Sequence, residues 1–251
     1  MRRRAARWRR ALLAYHAAMR SGRKKPSTYA LLFSYVLPYF GYVLVLALGT
    51  DALGKAGAYA LALAASAAGI AFAWRWYLPL PGPRSPAGSV AAGIVAGLAG
   101  TAAWIAIKAP FYEAGGEPWT PAAFWLRVLA STTVVALFEE QLFRGLLLRA
   151  AVTWDRLRRA GARDPLASAL HDHGPDDVEP GGWTAPAVAI SALAFAAGHA
   201  PGEWAAAVGY GLLMAALWIW RKDLLCCVVA HGVTNFTLAL WVRHTGQWAL
   251  W

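Results

Sequence analysis

Residues 128–148 read VLASTTVVALFEEQLFRGLLL, an apolar run broken by Glu139, Glu140, Gln141 and Arg144. Its length suits the ~20 residues that a helix rising ~1.5 Å per residue needs to cross ~30 Å of hydrocarbon. An ionised side chain at the centre of such a helix costs about 2.5–3.5 kcal/mol even on the milder insertion scale, so these groups require a reason. Spacing supplies part of one. Glu140 and Arg144 are four apart and share a helical face, where the guanidinium can neutralise one carboxylate. Glu139 points about 100° away and must face a polar cavity or another helix.

Six further stretches, 26–50, 56–74, 85–107, 180–202, 204–220 and 224–242, are free or nearly free of charge. With the first they make seven candidate spans, so the expected fold class is all-α: a polytopic integral membrane protein of about seven transmembrane helices around a polar cavity. Composition agrees. The 251 residues are 59% apolar and 15% charged, whereas soluble domains are about 45–50% apolar even with Gly counted and about 25% charged. This excludes a disordered chain and speaks against an ordinary soluble enzyme. The adjacent Cys226 and Cys227 cannot build a disulfide framework or, alone, a four-ligand metal site. They read as small core residues.

The net charge of +11 is informative through its placement. Ten of the 24 basic residues lie in residues 1–25, and ten more at Arg75, Arg84, Arg144, Arg149, Arg156, Arg158, Arg159, Arg163, Arg221 and Lys222. If these segment ends share one side, only Lys55, Lys108, Arg127 and Arg243 remain for the other. The positive-inside tendency then sets the N-terminus in the cytoplasm and the C-terminus outside. No short apolar core ahead of a small-residue cleavage site marks a signal peptide near the start. The expected organisation is a basic cytoplasmic segment, 1–25, followed by a single transmembrane domain, 26–251, with a cytoplasmic loop at 151–184. Residues 2–20, carrying Trp8, Leu12, Leu13 and Tyr15, read either as an interfacial helix on anionic headgroups or as a solvated basic tail. A nucleic-acid partner is not expected, since no aromatic-plus-basic fold signature accompanies the charge. His171 and His173 flank Asp172 in the loop and read as solvated. Gly93, Gly97 and Gly100 form a small-residue face for close helix packing.

Partners for the glutamates exist in two other spans. Phe195 and His199 are four apart, as are His231 and Asn235, so each pair shares a helical face. A lone histidine in a span is more often a packing or hydrogen-bonding residue. Together, a glutamate pair, two histidines and an asparagine supply a general base, a water-positioning imidazole and donors for an oxyanion. A rival reading makes the same cluster a substrate or ion pathway, or a polar staple in a scaffold or immunity protein.

The ordered motifs EExxxR (Glu139, Glu140, Arg144), FxxxH (Phe195, His199) and HxxxN (His231, Asn235) resemble those of the CAAX protease and bacteriocin-processing family. These are type II CAAX prenyl endopeptidases and bacterial relatives, intramembrane glutamic proteases, and the resemblance covers roughly residues 125–245. It implies a peptide hydrolase in which Glu139 activates water, His199 holds it, Glu140 and Arg144 orient the site, and His231 and Asn235 stabilise the oxyanion. No cofactor and no metal is implied. Zinc could be held by a Glu and His set, but no HExxH helix is present and a carboxylate tied to Arg is a poor ligand. The implied partners are the lipid bilayer and a membrane-anchored or lipidated protein or peptide. The last residues, Thr245-Gly246-Gln247-Trp248-Ala249-Leu250-Trp251, resemble the ending of a bacterial branch associated with exosortase sorting systems, which would place the protein in a bacterial inner membrane.

Depth raises one difficulty. At ~1.5 Å per residue, Glu139 lies about 15 Å from an inner face at Arg149 and His231 about 10 Å from one at Lys222. His199, if its span starts near Trp183, lies about 20–25 Å away. A fifth helix that begins below the membrane surface, a strong tilt, or a deep conical cavity would each reconcile them.

Overall fold

A computed structural model describes residues 28–111 and 116–250, and among these every regular element is helical. The alternative readings of residues 2–20 lie outside the described residues. The α-helices are α1 (Thr28–Ala73), α2 (Pro86–Lys108), α3 (Pro121–Ala130), α4 (Ala136–Glu140), α5 (Leu148–Arg159), α6 (Pro165–His171), α7 (Ala185–Ala197), α8 (Trp204–Arg221) and α9 (Leu224–Thr245). Wider π-helical turns at Ser131–Val135 and Gln141–Leu147 join α3, α4 and α5 into one rod. Among the described residues five helical runs are long and apolar enough to cross a membrane: Tyr29–Ala73, Pro86–Lys108, Pro121–Arg159, Pro201–Arg221 and Leu224–Thr245. Ala185–Ala197 is apolar but shorter. Leu48, Val95 and Leu193 are among the large apolar side chains that stay more than half exposed, as expected of a surface that meets lipid.

Local sequence explains the boundaries. Ser85, Thr120 and Thr184 accept backbone N–H bonds at the starts of α2, α3 and α7, each with proline in the first turn, where its missing N–H costs nothing. Asp223 caps α9 by accepting the Cys226 N–H at 2.8 Å, and also accepts Ser89 Oγ at 2.6 Å, tying α9 to the start of α2. The long α1 reverses at Gly54, whose φ of 65° and ψ of 167° are open essentially to glycine alone. Its two arms run antiparallel: Tyr42 faces Tyr59, Ser66 Oγ donates to Pro38 O, and Tyr35 Oη donates to Trp76 O.

At the centre, α2 lies along α9 in the most extensive helix pairing among the described residues. A Cβ on Gly93 would stand 2.8 Å from Cys226 O, and one on Gly97 2.7 Å from Ala230 O. The glycines therefore let two backbones approach as the small-residue face anticipated. Cys226 and Cys227 are buried there with free thiols.

The polar insert is more ordered than its composition suggests. The α5 helix carries on to Arg159, α6 follows, and the Arg149 guanidinium donates to Pro175 O (2.9 Å) and Val178 O (3.1 Å), folding the segment back onto the rod. His171 packs edge-on against Tyr29, and His173 Nδ1 lies 3.4 Å from Asp177. Among the described residues no group of three or more His, Cys, Asp or Glu is placed to hold a metal ion.

The start of α7 bears on the relative depth of His199 and Glu139. Its capping residue Thr184 lies beside Asp155, six residues beyond Arg149 along the rod, or about 9 Å further from Glu139. Midway along α7, Ser191 Oγ donates to Phe143 O at 3.0 Å, so the end of α7 reaches the level of the glutamates. The helix starts well past the Arg149 level of the rod, which brings His199 toward the level of Glu139.

Candidate active site

The rod presents its glutamates between the two π-helical turns. Each such turn bonds a residue to the fifth before it, widening the helix and changing which side chains face the core. Glu140 ends α4, and Gln141 opens the second wide turn with its Nε2 donating to Leu78 O at 2.8 Å, which fixes the rotation of this stretch. Glu140, Gln141 and Arg144 have no exposed surface.

Arg144 Nη1 lies 3.1 Å from Glu140 Oε1, and its Nη2 donates to Gly211 O at 3.1 Å. The guanidinium also stands 5.0 Å from the centre of the Phe195 ring. The same Glu140 Oε1 accepts a bond from His231 Nδ1 at 2.9 Å. Because the carboxylate can only accept, Nδ1 is assigned the hydrogen. His231 Nε2 is thereby turned toward Glu139, 3.7 Å from its Oε2. A continuous chain of charged or ionisable groups results: Arg144, Glu140, His231, Glu139. Of these Glu139 alone retains appreciable access, its side chain 13% exposed.

His199 sits two residues past α7. Its Nδ1 donates to Phe195 O at 2.9 Å, leaving Nε2 free of that bond, and Trp204 Nε1 donates to His199 O at 3.1 Å. Its ring is 4.7 Å from Phe195 and 5.7 Å from Trp104, centre to centre. The Phe195 and Tyr210 rings in turn approach His231, at 6.0 and 5.6 Å. Asn235, one turn after His231, donates Nδ2 to Ser131 O at 2.9 Å, on the first wide turn. Four of the six residues expected from the sequence thus form one direct chain. His199 joins through aromatic contacts, and Asn235 reaches the rod at a backbone carbonyl.

Sequence reasoning missed three features. The π-helical turns have no distinguishing residue pattern. Trp104 and Tyr210 belong to no motif, yet their rings lie beside His199 and His231 and against each other. His231 was expected beside Asn235 at an oxyanion; in the fold it also bridges the two glutamates, a contact between residues 91 apart that no local spacing reveals.

Comparison with protein families finds that residues 121–237 match the Type II CAAX prenyl endopeptidase Rce1-like family model. The matched segment contains all three motifs and every residue of the charged chain. Neither the curated proteins nor the solved structures gave a match.

Proposed function

Taking the Rce1-like character of residues 121–237 as premise, we propose that this protein is an intramembrane endopeptidase in which a glutamate-activated water hydrolyses a peptide bond of a membrane-anchored or lipidated substrate. The observation that carries the reading is the chain Arg144–Glu140–His231–Glu139, closed at one end by a guanidinium with no exposed surface and open at the other at Glu139. A cluster serving only to hold helices together would satisfy all its charges internally. Here the terminal carboxylate has no arginine of its own.

In this mechanism Glu139 takes a proton from a water held between its carboxylate and His199, and the water oxygen attacks the scissile carbonyl carbon. The oxyanion is stabilised by the Asn235 N–H that Ser131 O leaves free and, once its imidazole carries a second proton, by His231 Nε2–H, in a water-poor site where fixed donors act most strongly. Collapse of the tetrahedral intermediate breaks the C–N bond. Glu139 passes its proton to the departing amine and is again a carboxylate; the products are an acid and an amine. Arg144 and Glu140 act through His231 as positioning residues. No step calls for a metal or cofactor.

The same reading sets seven apolar segments in the bilayer: both arms of α1, α2, the rod, α7, α8 and α9. The N-terminus and residues 151–184 are placed in the cytoplasm and the C-terminus outside, on the basic asymmetry of the chain. A bacterial inner membrane and an exosortase-linked sorting substrate fit the resemblance of residues 245–251.

The test is Glu139→Gln in detergent or nanodiscs, with prenylated and membrane-anchored reporter peptides. Loss of cleavage by about 10²-fold or more, with unchanged membrane abundance, is expected. A Glu139→Gln variant that cleaves at the parent rate would sink the assignment.

A further inference from the structure

Trp104 lies on α2, outside the segment that matches the family model. Its side chain is buried, 8% exposed, and its indole Nε1–H finds no acceptor. The contrast within the molecule is direct: Trp218, also buried, donates to Gly182 O at 3.1 Å. Buried indoles ordinarily find a partner, because an unpaired donor loses its bond to water without replacement.

Neither of its polar aromatic neighbours accepts the indole N–H. Tyr210, whose ring is 6.1 Å away, has its hydroxyl committed to Thr234 Oγ1 at 3.1 Å. His199, 5.7 Å away, is held through Nδ1 by Phe195 O. The location of the ring is not accidental either. One turn earlier, a Cβ on Gly100 would stand 2.8 Å from Thr234 Oγ1 and 2.9 Å from Tyr210 Cε2, so the glycine face of α2 brings Trp104 against the histidine wall.

The catalytic chain is also short of free donors. One Asn235 N–H is used by Ser131 O, and His231 Nδ1–H is used by Glu140. A peptide lying across the site brings carbonyl oxygens that have left water and need donors.

We propose that Trp104 is a substrate-binding residue whose Nε1–H donates to a carbonyl oxygen of the bound peptide beside His199. This rests on the endopeptidase reading above. The indole supplies a neutral, fixed donor on the His199 side of the site, while its ring face keeps His199 in place.

The test separates the donor from the ring. In the full chain in nanodiscs, Trp104 is replaced by benzothienylalanine, which keeps the bicyclic shape and lacks the N–H, and in parallel by Phe. With a reporter peptide that the parent cleaves, both replacements should lower kcat/KM about tenfold, the scale of one lost hydrogen bond. With benzothienylalanine, which fills the same volume, melting temperature and the pH profile of cleavage should match the parent, since the ring contact with His199 remains. Independently, in Glu139→Gln protein labelled at indole nitrogen, the Trp104 Nε1–H resonance should move on adding the same peptide. Parent-like kcat/KM with benzothienylalanine, or a resonance that stays put at saturating peptide, would overturn the assignment of Trp104 and leave the proteolytic reading intact. A parent that cleaves no reporter peptide, with no peptide-dependent shift of that resonance, would sink both.

Discussion

His231 Nδ1 meets Glu140 Oε1 at 2.9 Å, joining α9 to the rod across 91 residues of chain. The bond fixes the imidazole so that its other nitrogen faces Glu139. His231 is therefore placed to couple a carboxylate neutralised by Arg144 to one that is not.

His231→Ala should abolish cleavage and destabilise the fold, because Glu140 then keeps only its bond to Arg144 in a site without water contact. His231→Asn can restore the bond to Glu140 and should recover stability without recovering activity. Thermal unfolding and cleavage rates measured together check this; recovery of both by Asn would reduce His231 to a structural group.

Arg144→Ala leaves Glu140 buried beside a single imidazole. Removing one partner of a buried pair typically costs about 3–5 kcal/mol, so a clear fall in melting temperature is expected together with lost activity. Arg144→Lys should recover part of the stability but not the bond to Gly211 O, which needs the second arm of the guanidinium. An inactive Arg144→Ala that melts like the parent would move Arg144 into direct chemistry.

Gly97→Val should cripple folding. The new Cβ would stand 2.6 Å from Val233 Cβ and 2.7 Å from Ala230 O, and a backbone carbonyl cannot step aside cheaply. Gly41→Ala, with open space around it, should be silent. Equal expression and equal melting of the two variants would show that α2 and α9 do not pack as described.

Sidedness follows from the basic asymmetry: a cysteine at position 170 should label from the cytoplasm and one at position 117 from outside. The buried native thiols should contribute little background. Reversed labelling would place the basic ends on the wrong side of the membrane.

Arg156 binds Glu179 through both oxygens, at 2.7 and 3.0 Å, and this hydrogen-bonded pairing holds the Glu179 carboxyl below its ordinary range. A depressed carboxyl favours the folded form at pH above the unfolded value of about 4.3, and that contribution fades as pH falls through the lower folded value. The pair is half exposed, so Glu179→Gln should cost no more than about 1 kcal/mol at neutral pH and nothing at strongly acid pH. A larger loss in chemical-denaturation curves would mean that residues 175–179 bear on the fold through more than this pair.

Much was legible from residue order alone. Apolar runs of bilayer length announced helices, because hydrocarbon leaves backbone groups no partner but their own helix. The Glu140–Arg144 pair followed from one helical turn, and the close approach of α2 to another helix followed from its glycines, since both are local consequences of helical geometry. Three ordered motifs named the cluster. What only tertiary structure decided is how those helices rotate and where they start. The contact of His231 with both glutamates, the start of α7 beside Asp155, and the unpaired indole of Trp104 each depend on packing between segments far apart in the chain. Spacing within a helix sets which side chains share a face; which face meets which is set by close packing of all the helices at once, and no single stretch of sequence contains that information.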